Sequence, residues 1–158
     1  MVLAAGAATR MGRLKQLLPY GASTLVEHAA EQALAARPVR VVENSAWPLG
    51  MGSSIQAGME VLLDAETVCI LLADQPFVEA RHLREMQKLL DGSAALAVAA
   101  EYNGALGVPA LFKPELFREL QSLEPATGAR GLLRRYALGY PLAEGAVDVD
   151  TPEDFALL

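Results

Sequence analysis

The sequence predicts a three-layer α/β/α sandwich on a mostly parallel, Rossmann-like sheet. Short apolar runs of strand length alternate with segments of helical periodicity. That alternation places helices on both faces of a largely parallel sheet. The length, 158 residues with 53% hydrophobic and 20% charged residues, suits one domain over 1–158 with a real core.

Residues 1–4, 39–42, 67–73, 96–100 and 146–149 read as buried strands. Residues 24–36, 53–63, 78–90, 114–122 and 128–137 read as helices. In 78–90, Leu83, Met86, Leu89 and Leu90 recur at helical spacing. Only Arg37 and Pro38 separate the first helix from the second strand, a short but permissible loop. Repeats, low-complexity tracts and an interdomain linker are absent from the sequence.

The net charge of −6 argues against a nucleic-acid-binding face. It leaves anionic small molecules open, because local charge decides their binding. A single cysteine, Cys69, cannot form an internal disulfide, which predicts a reducing compartment. No run approaches the ~18 apolar residues of a membrane span, and no secretory leader is visible. The expectation is a cytoplasmic protein with neither a membrane nor a nucleic-acid partner.

Positive charge gathers after the first strand, where Arg10, Arg13 and Lys15 follow the small residues from Ala4 to Gly12. Ligands in such sheets bind beyond the carboxyl ends of strands. Small residues there let backbone N–H groups approach an anion, and a helix start adds partial positive charge. The segment therefore reads as a polyphosphate cradle, against the plainer alternative of a glycine turn with a solvated basic helix start. It is not a Walker loop: five residues separate Gly6 from Gly12, and Arg13 follows.

Asp74 ends the third apolar run, before Gln75 and Pro76. A carboxylate at a strand end beside a phosphate loop suits Mg2+, which takes one or two carboxylates and completes its shell with water and phosphate oxygens. The alternative is a turn cap. In "AVDVDTPEDFALL", an extended 147–150 would put Asp148 and Asp150 on one face. Asp150 is the better second ligand, being nearer the strand's carboxyl end. Thr151, Pro152 and Asp154 form a helix start without further function.

The stretch 44–58 is a polar, glycine-rich connection into a helix. Ser53 and Ser54 there suit either an N-cap or a base and ribose contact. The stretch 102–112 reads as a turn or as one wall of an acceptor pocket. Arg130 and Arg134 lie one helical turn apart, as a solvated face or a second anion site. His28, His82 and Cys69 carry no ligand spacing and read as structural.

Taken in order, these segments resemble the MobA-like nucleotidyltransferase family, in particular its molybdenum cofactor cytidylyltransferase (MocA-type) branch. The resemblance rests on Leu3-Ala4-Ala5-Gly6 with Arg10-Met11-Gly12 and Lys15, on Asn44 to Gly58, and on Leu72-Ala73-Asp74-Gln75-Pro76. It extends through Gly107 to Phe112, Gly128-Ala129-Arg130, and Asp148 to Asp154. It implies a nucleotidyltransferase fold, CMP transfer from CTP to the phosphate of molybdopterin or molybdenum cofactor, and release of pyrophosphate. It also implies Leu3, Ala4, Ala5 and Gly6 in the nucleotide pocket, with Ser53, Ser54 and Gly58 along it. Arg10 and Lys15 would lie on the triphosphate, and Asp74 and Asp150 on Mg2+. Catalysis would fall to Lys15, Arg10 and Asp74. Ala5 marks the cytidine form of the loop. Transient contact with a molybdoenzyme is implied as well. Another phosphorylated acceptor, such as a sugar phosphate or isoprenoid precursor, and a non-catalytic accessory role are the alternatives. Against the family pattern, about one α/β unit is missing near Arg37.

Overall fold

The computed structural model describes residues 1–4, 14–36, 42–156 and 158. Five strands form the main sheet: β1 (Val2–Leu3), β4 (Val68–Leu72), β5 (Ala97–Tyr102), β6 (Ala105–Phe112) and β7 (Ala137–Pro141), in spatial order β1-β4-β6-β5-β7. β1 pairs parallel with β4, and β5 parallel with β7. β6 runs antiparallel between β4 and β5, so four strands share one direction. A separate ribbon pairs β2 (Pro19–Tyr20) with β3 (Ser23–Thr24).

Period-two alternation divides the sheet's side chains between two cores. Val68 and Ile70 of β4 join Ala97, Ala99, Ala110 and Phe112 on one face. That face is covered by α2 (Met51–Met59), α4 (Phe117–Gln121) and α5 (Arg130–Tyr136). Leu71 and Ala100 point to the other face, against Ala33 of α1 (Leu25–Ala36) and Leu83 of α3 (Ala80–Asp91). Met86 and Leu90 extend this second core over Val98 and Leu111. The result is the expected three layers.

Several boundaries differ from the sequence reading. Residues 105–112 form β6, the partner of β5 in a hairpin. Its turn residues Asn103 and Gly104 have φ of 52° and 71°, the left-handed pair that a tight hairpin turn requires. The last expected helix stops at Tyr136, and 137–141 becomes the edge strand β7. The expected strand over 146–149 is not one. A 3₁₀ turn, Ala143–Ala146, leads into an irregular segment. Its anchor is one backbone bond, from the Val149 N–H to the Asp74 carbonyl (3.0 Å), in place of a ladder. Of the expected strand 39–42, residues 39–41 lie outside the described residues, and Val42 is in no element.

Candidate active site

The carboxyl ends of β1 and β4 lie side by side, because Leu3 pairs with Leu72. Asp74 follows β4 directly. Lys15 opens a 3₁₀ turn, Lys15–Leu17, downstream of β1. The Val149–Asp74 backbone bond holds the C-terminal segment at the same place, with Val149 buried and Asp150 beside it. Three charged side chains from distant parts of the chain therefore converge. The Lys15 ammonium donates to Asp74 Oδ2 and to Asp150 Oδ1, each at 2.5 Å. Burial alone would lower the Lys15 pKa. The hydrogen bonds and charges of Asp150 and Asp74 outweigh it and raise the pKa, so Lys15 is a cation at any physiological pH.

The turn after β4 is fixed by Gln75, which is buried. Its Nε2 donates to the carbonyls of Val108 (3.1 Å) and Gly145 (2.7 Å), tying β6 and the 143–146 turn to the residue after Asp74. The Tyr102 hydroxyl donates to the same Val108 carbonyl at 3.1 Å. Asp148 stands nearby, where the Lys15 charge also acts on it. Burial first, then the negative charges of Asp74 and Asp150, push its carboxyl up to about 6. Beyond it, Thr151 and Asp154 form the expected reciprocal cap of α6 (Pro152–Phe155). Asp154 N–H donates to Thr151 Oγ1 at 3.2 Å, and Thr151 N–H donates to Asp154 Oδ2 at 2.8 Å.

Asp74 and Asp150 suit a hard divalent cation. The donor set is oxygen only, and both carboxylates already share one cation. Asp74 Oδ1 is buried with no hydrogen-bond partner among the described residues, an acceptor that is costly to leave unmet. Two carboxylates, with the rest of the shell left to water and phosphate, match Mg2+ or Mn2+. Among the described residues no group of three or more His, Cys, Asp or Glu is arranged to hold a metal.

The other expected site residues are placed unevenly. Leu3 and Ala4 are at the end of β1. Ala5, Gly6, Arg10 and Arg13 lie outside the described residues. Ser53 is buried in the first turn of α2, where its Oγ accepts from Asn44 Nδ2 (3.0 Å). The same hydroxyl lies within bonding distance of the Gly50 carbonyl (2.7 Å) and the Ala46 carbonyl (3.0 Å). Ser54 Oγ accepts from Asn44 at 2.9 Å. Gly58 packs against Met1 so closely that an added Cβ would lie 2.4 Å from its methyl carbon. His28 bonds to the Pro76 carbonyl and stacks edge-on with Tyr20. The His82 ring accepts from the Glu79 N–H in the α3 cap. Burial pushes the Cys69 thiol up to about 11, which keeps it protonated. Gln75 and Tyr102 are the neighbours of Asp74 to which the sequence reading gave no individual role. The available signal for Gln75 was its place next to Asp74.

The family model for the MobA-like NTP transferase domain matches residues 1–37 and 30–139. The chain belongs to this family. The two matched stretches overlap over residues 30–37. Among curated relatives of this MobA-like domain, the purine catabolism protein PucB of Bacillus subtilis is 29% identical, with 99% of this chain and 93% of PucB covered. The molybdenum cofactor cytidylyltransferase of Escherichia coli is 24% identical, with 98% and 92% covered. A manganese complex of Rv0371C from Mycobacterium tuberculosis superposes with a TM-score of 0.71 at 26% identity, covering 99% of this chain and 95% of that one. The MobA-like domain described here is thus a nucleotidyltransferase by family, with its charged cluster at the ligand-binding end of the sheet.

Proposed function

We propose that this domain transfers CMP from CTP to the terminal phosphate of molybdopterin or molybdenum cofactor. The observation that carries the reading is the convergence of Asp74 and Asp150 on Lys15, beyond the carboxyl ends of β1 and β4. The cytidylyltransferase relative, aligned over nearly the whole chain, supports this choice of reaction.

An acceptor phosphate oxygen attacks the α-phosphorus of CTP. The bond from that phosphorus to the α–β bridging oxygen breaks, and pyrophosphate leaves with its electrons. The nucleophile is already an anion, so no general base is needed. The chain must bring two anions together and offset charge on the leaving group, which is work for positioning and electrostatics. In this proposal Leu3, Ala4, Ala5 and Gly6 line the nucleotide. Lys15 and Arg10 neutralise the triphosphate. Asp74 and Asp150 would hold Mg2+, which when bound supplies Lewis acidity and a template for phosphate oxygens. Gln75 keeps the Asp74 turn in place against β6 and the 143–146 turn. Ser53, Ser54 and Gly58 serve the framework, since Ser53 and Ser54 are engaged with Asn44 and Gly58 with Met1.

The test is incubation with each NTP in turn, Mg2+ and molybdopterin, with pyrophosphate measured. CTP should give the fastest release, dependent on acceptor. Faster release with GTP would overturn the base choice. No acceptor-dependent release from any NTP would overturn the reaction.

A further inference from the structure

Lys15 occupies the point that a metal bound by both carboxylates would need. Its Nζ is 2.5 Å from an oxygen of each. The one ammonium there donates to both carboxylates. Asp74 Oδ1 remains buried and unpartnered among the described residues. The cluster is thus held together with a spare carboxylate acceptor. A divalent ion could use that acceptor, but it cannot share the point between the carboxylates with an ammonium. We infer that Lys15 is a resident placeholder cation. It keeps two repelling carboxylates in position in the nucleotide-free protein and is displaced when a divalent metal enters. Displacement frees the ammonium for the triphosphate only once the metal is in place. The inference rests on Asp74 and Asp150 being the metal ligands.

A fixed salt bridge makes the opposite prediction. If Lys15 only orients the carboxylates, its removal weakens metal binding. If it competes, its removal strengthens binding.

The experiment uses Mn2+ alone on the full, nucleotide-free chain, with free Mn2+ read by electron paramagnetic resonance. Lys15→Met should bind Mn2+ about tenfold more tightly than the parent, since a unit charge within a few ångströms is removed. Lys15→Arg, which keeps the charge, should stay close to the parent. Equal or weaker binding by Lys15→Met overturns the inference. Because that variant removes the Lys15 counter-charge from the carboxylates, melting curves are taken with and without Mn2+. Mn2+ should raise the melting temperature of Lys15→Met more than that of the parent, and an equal or smaller rise also overturns the inference. No Mn2+ binding by any form overturns both this inference and the metal reading. Tightened Mn2+ binding without CTP transfer would leave the inference standing and remove only the proposed substrates.

Discussion

The knot of Asn44, Ser53 and Ser54 and the cluster of Lys15, Asp74 and Asp150 are both polar and both partly sheltered. They differ in what is left over. In the knot, Asn44 Nδ2 reaches both serine hydroxyls and its Oδ1 accepts from the Ala46 N–H at 2.9 Å. The Ser53 hydroxyl proton has two carbonyls within reach. In the cluster, Asp74 and Asp150 both accept from Lys15, and Asp74 Oδ1 is buried with no hydrogen-bond partner among the described residues. Saturated polar groups stabilise a loop and have little to offer a ligand. Unsaturated ones cost stability and are retained where something binds.

The sharpest way to break this comparison is to exchange the expected effects. Asp74→Asn should lower turnover about 100-fold or more, the scale for losing a preorganised electrostatic group. It should cost little stability: Lys15 keeps Asp150, and Asp148 loses a repelling neighbour. Steady-state rates beside a melting curve check both halves. Ser53→Ala should do the reverse, losing about 1–2 kcal/mol as a buried hydrogen-bonding group with turnover near the parent's. A large drop in rate with unchanged melting would return Ser53 to the nucleotide site and dissolve the contrast.

The smallest effect sharpens the electrostatic half. Folding raises the Asp148 pKa from 3.8 to about 6. Between those values the folded state binds more protons than the unfolded one. Stability therefore falls as pH rises through that window, and the penalty persists above it. In chelator, Asp148→Asn should melt higher than the parent above pH 6. The difference should shrink as pH falls and vanish below about pH 4. Asp148 is only partly withdrawn from solvent, so water screens it and the gain should be modest. A pH-independent difference would mean that neither burial nor the charges of Asp74 and Asp150 raise its pKa.

Much of this was legible from residue order. The run 67–73 alternates over both cores, so its strand and the acid at its end could be read directly. The Thr151 cap was legible because all its partners are local. β6 was hidden by its glycine and proline, although the Asn103-Gly104 pair marks a hairpin. β7 was hidden because the helical pattern of 130–136 runs into it, and an edge strand needs only weak strand character. Residues 146–149 misled for the opposite reason. Val149 is buried, but Val147 is exposed, and one backbone bond to Asp74 holds the segment in place of a ladder. The site itself was visible as separate candidates. Their meeting was not, because Lys15 is 59 residues from Asp74 and 135 from Asp150.

That last separation has a consequence in time. Ribosomes add roughly 5–20 residues per second, and domains condense as they emerge. Asp150 is then made on the order of ten seconds after Asp74. Every main-sheet strand precedes it in the chain. Until it arrives, Lys15 has Asp74 without its second carboxylate. A growing chain can therefore pair β1, β4, β5 and β6 before Asp150 is made, so much of the sheet forms before the charged cluster is complete.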